Sequence, residues 1–213
     1  MHRLTVLKAA GCGMVLSSIA TVLASAESRH QMLLFGISVT FFTNVLMLLY
    51  WSLALFTRSG RLLRLLSRCT APEKASRLVK YVDAQLLPLL QRMGLVFGML
   101  IGSVWLVFLG GTETRSEELA VNILLHYISP LMFYIDWLTN TAVPWPASWL
   151  PYWFAASAAV VLHLIGRFRL GHQLYWLLEL QHFHILCIVA AYFVMVDIVL
   201  CNHNHQRVRR QHR

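Results

Sequence analysis

Two residues stand out by type from their apolar surroundings and have the chemistry to act together: Thr43, in the run 32–56, and His126, in the run 119–138. A threonine hydroxyl is a poor nucleophile until a base takes its proton, and histidine is the usual base because its pKa lies near neutrality. Around Thr43, the residues Thr40, Asn44 and Met47 recur at helical spacing and share its face. Around His126, the side chains of Asn122, Ser129 and Asp136 fall about 40°, 60° and 80° to the same side of a regular helix. Ionisable groups at such depth are costly and usually functional, so this stripe must face protein or water. At about 1.5 Å per residue, Thr43 lies roughly 17 Å and His126 roughly 11 Å from the outer ends of their runs, close enough in depth for the strips to meet. Asn44, Asn122 and Ser129 are candidate donors to an oxyanion. Asp136, about 15 Å along the helix from His126, is a candidate cavity group too distant to orient the ring. A plainer alternative stays open at this point. Thr43 can bond its own helix carbonyl, and His126 can tie two helices together.

The elements that must carry these residues follow from composition. Of 213 residues, 58% are hydrophobic and 13% charged, half the charged fraction of soluble domains. The chain reads as an all-α integral membrane bundle with six spans, at about 4–24, 32–56, 84–110, 119–138, 150–165 and 177–201. Its net charge of +9 is gathered in a basic loop, 57–82, and a basic tail, 202–213, as cytoplasmic segments are. That assigns the charge to topology rather than to nucleic acid, with both termini cytoplasmic. Arg61, Arg64 and Arg68 alternate with leucines at helical spacing, so this part of the loop is expected to lie on anionic headgroups. Arg92 sits near enough to the end of the third span to snorkel to the interface. The first span also has the marks of a secretory signal peptide, with Arg3 and Lys8 near its start and Ala24-Ser25-Ala26 at its end. A retained helix suits the topology better, because Lys8 and the Gly11-Cys12-Gly13 segment interrupt its apolar centre.

No cofactor or metal is predicted. Cys12, Cys69, Cys187 and Cys201 are scattered, without zinc-ligand or disulfide spacing. Glu179 and His182 have the spacing of a helical metal pair but occur once, and His203 and His205 belong to the solvated tail. Asp197 and His163 are expected to line the same cavity as His126.

Phe41-Phe42-Thr43-Asn44-Val-Leu-Met-Leu-Leu-Tyr-Trp51 and Leu125-His126-Tyr-Ile-Ser-Pro130-Leu-Met-Phe-Tyr-Ile-Asp136-Trp resemble two motifs of the androgen-induced-gene family of multi-pass membrane threonine hydrolases. In the first motif an aromatic or leucine precedes an intramembrane threonine. In the second, histidine is followed by proline and then an acidic residue. The resemblance covers about residues 30–140, and six spans with cytoplasmic ends agree with it. It implies hydrolysis of fatty acid esters of hydroxy fatty acids, with Thr43 as nucleophile and His126 as base, acting on a lipid ester within the membrane. The competing class is a proton-coupled carrier using His126, Asp136 and Asp197, which would be indifferent to loss of Thr43. A scaffold acting through the arginine-rich loop would be indifferent to both Thr43 and His126.

Overall fold

The computed structural model describes residues 2–25, 38–104, 120, 123–146 and 183–211, and among these every regular element is helical. Helix α1 spans His2–Ser25, α2 Val39–Arg58, α3 Arg61–Cys69 and α4 Pro72–Tyr81. A π-turn, Val82–Leu86, joins α4 to α5 (Leu87–Val104), and a second π-turn, Leu124–Ile128, leads into α6 (Ser129–Thr139). Helix α7 spans Phe183–Gln211. Among the described residues three stretches, Thr5–Ala24, Thr40–Arg58 and Pro72–Ser103, are long and apolar enough to cross a membrane. The expected span 150–165 lies outside the described residues, as do Asn122, His163, Glu179 and His182.

Both π-turns stand at the same distance before a proline, Pro88 or Pro130. Proline has no N–H to give to the carbonyl four residues back, and its ring crowds that carbonyl. The helix accommodates this by admitting one extra residue, so Leu87 N–H reaches Val82 O and Ser129 N–H reaches Leu124 O. The extra residue rotates everything after it by about 100° relative to a regular helix. The stripe expected on one face of 122–136 is therefore divided. Ser129 turns its hydroxyl to Leu124 O at 3.0 Å, and Asp136 faces α1.

Glycines draw α5 and α6 together. A Cβ on Gly94 would lie 2.8 Å from the Phe133 ring, one on Gly98 3.1 Å from Pro130, and one on Gly102 2.9 Å from the carbonyl oxygen of His126. These residues, spaced by four, form the small-residue seam by which membrane helices approach closely. Around them a core of Met47, Trp51, Val96, Phe97, Phe133 and their neighbours is buried. Gly11 has a matching role in α1, where a Cβ would lie 2.6 Å from the Trp51 indole. Within the Gly11-Cys12-Gly13 interruption, Gly11 is thus a packing site for that ring, while Gly13 is exposed.

One end of the bundle is held by charge. Lys8 of α1 and Asp136 of α6, both 0% exposed, form an ion pair at 2.5 Å. Arg58, closing α2, donates to the Asn140 side chain at 3.0 Å, and Arg207 of α7 donates to Leu138 O and Asn140 O at 3.0 and 2.7 Å. Three cations from three helices thus meet the carbonyl end of α6, the negative end of its dipole. Arg92 does not snorkel: it is buried, with a two-pronged contact to Asp197 at 2.9 and 2.6 Å and a bond to Pro146 O at 2.6 Å. A second ion pair satisfies it better than an interface would, because Asp197 needs a cation at the same depth. The tail differs from expectation as well. α7 continues unbroken to Gln211, Asn204 is buried between Trp137 Nε1 and Val143 O, and the exposed His203 sets its ring edge-on to Trp137 at 5.2 Å.

Candidate functional site

The opposite end of the bundle carries the candidate site. Helix α2 begins at Val39 with Ser38 as N-cap, whose Oγ accepts the Phe41 N–H at 3.1 Å. Thr40 therefore stands in the first turn, where helix amides are unpaired within the helix and the dipole is positive. Its Oγ1 lies 3.0 Å from His126 Nε2. His126 is itself buried in the middle of the second π-turn. The polar strip of α2 meets the histidine helix, and Thr40 puts a hydroxyl in contact with the imidazole. Thr43, 1% exposed, is buried one turn further along α2. The depth count ran from residue 32, whereas the capped start of α2 lies at Ser38.

Asn44 links the same two elements. In the π register Ser129 N–H goes to Leu124 O, and Pro130 has no N–H, so Leu125 O has no donor within its own helix. Asn44 Nδ2 supplies one across the interface at 3.3 Å and bonds Thr40 O at 2.9 Å. Its amide protons are thus engaged, and its buried Oδ1 has no hydrogen-bond partner. An oxyanion needs a donor, which Asn44 lacks in this arrangement. Ser129 lacks one too, because its single proton is on Leu124 O. Asp136 is no part of this cavity, being paired with Lys8 at the other end.

His126 also lines a cavity of about 300 Å³ together with Gly98, Gly102, Ser103, Tyr127 and Tyr192. Ser103 Oγ and Tyr192 Oη are hydrogen-bonded at 2.9 Å, joining α5 to α7. Neither residue was singled out by sequence. A lone serine near the end of an apolar run and a tyrosine in another show no shared spacing, and only the packing of α7 on α5 unites them. Asp197 does not line this cavity. It faces a separate space of about 420 Å³ with Arg92, Trp145, Cys201 and His205.

Among the described residues no group of three or more His, Cys, Asp or Glu side chains is arranged to hold a metal ion. The chemistry available at His126 is acid and base chemistry: a hydroxyl on an imidazole nitrogen, at a helix N-terminus, beside a hydrophobic cavity. Compared with protein-family models, curated proteins and solved structures, the chain matches none of them.

Proposed function

We propose that this protein is an intramembrane hydrolase of lipid esters in which His126 is the general base and a threonine of α2 is the nucleophile. The observation that carries this is the 3.0 Å contact between Thr40 Oγ1 and His126 Nε2. In the first step the threonine oxygen bonds to the ester carbonyl carbon as its proton passes to Nε2. Collapse of the tetrahedral intermediate breaks the bond to the leaving alcohol, which takes that proton from His126. Water, deprotonated by the same nitrogen, then attacks the acyl-threonine and releases the fatty acid with the threonine reprotonated. The positive end of the α2 dipole favours the developing alkoxide at Thr40. Thr43 is the nucleophile that the family resemblance implies, and it lies on the same face one turn away. The resemblance also supplies the substrate class, fatty acid esters of hydroxy fatty acids.

The proposal includes six spans with both termini cytoplasmic. It is supported by the gathering of Arg58, Arg61, Arg64, Arg68, Arg209 and Arg210 in α2, α3 and α7, whose contacts bring the ends of α2 and α7 together. Helix α3 buries none of its residues and exposes Leu63 and Leu65 beside its arginines, which suits contact with anionic headgroups. A proton-coupled carrier has less support, because Asp136 and Asp197 are each held in an ion pair with a cation.

The test is turnover of such esters, with simple long-chain esters for comparison, by purified protein in detergent. Wild type should release hydroxy fatty acid, and His126→Ala should be slower by about 10²-fold or more, the usual contribution of a general base. Equal rates in the two proteins would remove the hydrolase reading.

A further inference from the structure

The hydrolysis proposed above needs a proton donor for the carbonyl oxygen of the ester. Of the donors suggested by sequence, Asn44 is engaged with two helix carbonyls and Ser129 with Leu124 O, and Asn122 lies outside the described residues. We infer that Tyr192, oriented by Ser103, is the hydrogen-bond donor that holds the substrate carbonyl in the cavity beside His126. This rests on the hydrolase reading for its chemistry, and the carbonyl-binding part of it stands on geometry alone.

Ser103 Oγ has one proton and two acceptors, Met99 O at 2.8 Å and Tyr192 Oη at 2.9 Å. With that proton on Met99 O, the tyrosine gives its own to Ser103 and the cavity receives none. With the serine turned to Tyr192, the phenol proton is released to a ligand, and the two hydroxyls polarise one another along the chain. The return of Ser103 to the carbonyl four residues back gives the empty site an alternative partner, so both hydroxyl protons stay bonded when substrate leaves. An empty site and an occupied site are thus both fully bonded.

The lining also defines the ligand. Among the described residues around this cavity there is no Lys, Arg, Asp or Glu. Lys8, Arg58 and Arg92 belong to the interactions of the other end of the bundle. The described lining offers a carboxylate or phosphate no fixed partner charge, whereas a neutral carbonyl needs one donor. The described lining thus suits an uncharged ester carbonyl with alkyl on both sides.

The test uses full-length protein in detergent and two tritiated probes of equal chain length, a dialkyl ketone and its alkane. Wild type should bind the ketone about tenfold more tightly, the value of one net hydrogen bond. Tyr192→Phe should abolish that preference while leaving alkane binding unchanged, and Ser103→Ala should reduce it by less, since the phenol proton remains. In ester turnover Tyr192→Phe should lower kcat by about 10²-fold with KM little altered, as for loss of an oxyanion donor. A ketone preference that survives in Tyr192→Phe, or is missing in wild type, overturns the inference even if turnover falls. Loss of the preference in Tyr192→Phe in a protein that hydrolyses no ester would uphold the carbonyl site and defeat the hydrolase reading instead.

Discussion

His126 meets Thr40, and Asn44 meets Leu125 O, so the contact between α2 and the second π-turn is made by polar atoms in two successive turns. Such a contact serves structure and chemistry at once, and the two can be separated by substitution. Asn44→Leu leaves the Leu125 carbonyl buried without a donor, at a cost of about 1–3 kcal/mol. Thermal unfolding in detergent, followed by tryptophan fluorescence, should show a lowered midpoint. An unchanged midpoint would mean that Asn44 contributes nothing to the interface. The residue types were legible in the sequence, since a histidine, two threonines and an asparagine in apolar runs have few purposes. That Thr40 touches the imidazole was not legible. Periodicity places Thr40 and Thr43 on one face equally well, and only the N-cap at Ser38 and the extra residue in the π-turn set the register.

At the scale of elements, the second π-turn is the device that sets His126 and Leu125 toward α2. Pro130→Ala restores an N–H that can bond the His126 carbonyl, letting the segment relax toward a regular helix. Ester turnover should fall by tenfold or more while the midpoint of unfolding holds or rises. A fall in stability with turnover intact would show that the π-turn has no part in positioning the site. Gly102→Val tests the seam from the other side. Its Cβ would lie 2.9 Å from the His126 carbonyl oxygen, and forced repacking of this kind costs about 1–3 kcal/mol. Sequence marked Pro130 as part of a motif, but a proline alone does not say whether a helix ends, kinks or takes in an extra residue. That depends on whether a neighbour, here Asn44, can satisfy the freed carbonyl. The apolar runs themselves were readable, and among the described residues three of them overlap stretches able to cross a membrane, one of which, Pro72–Ser103, also takes in the end of the expected basic loop.

Across the whole molecule, two buried ion pairs bind helices far apart in sequence: Lys8 to Asp136, and Arg92 to Asp197. Each charge had its own expectation, Lys8 as a signal-peptide mark or a break in the apolar centre, Arg92 as a snorkelling side chain and the two aspartates as cavity groups, because pairing across more than a hundred residues leaves no local pattern. Lys8→Met leaves Asp136 buried and uncompensated, which costs about 3–5 kcal/mol, whereas Lys8→Met with Asp136→Leu replaces the pair by apolar contacts and recovers most of it. Monodispersity after heating in mild detergent reports this, with the single variant expected to aggregate first. Equal behaviour of single and double variants would mean that the pair does not hold α1 to the bundle.

The most direct measurement is labelling of the purified protein with a fluorophosphonate, which reacts with activated hydroxyls, followed by fragmentation of the modified peptide to locate the adduct. Wild type should be labelled on an α2 threonine, at Thr40 if the hydroxyl on His126 Nε2 is the nucleophile. His126→Ala should lose the label while remaining folded, as should the variant lacking the modified threonine, Thr40→Val or Thr43→Val. Folded wild type that takes no label, or a His126→Ala protein labelled as fast as wild type, would contradict a histidine-activated threonine hydrolase.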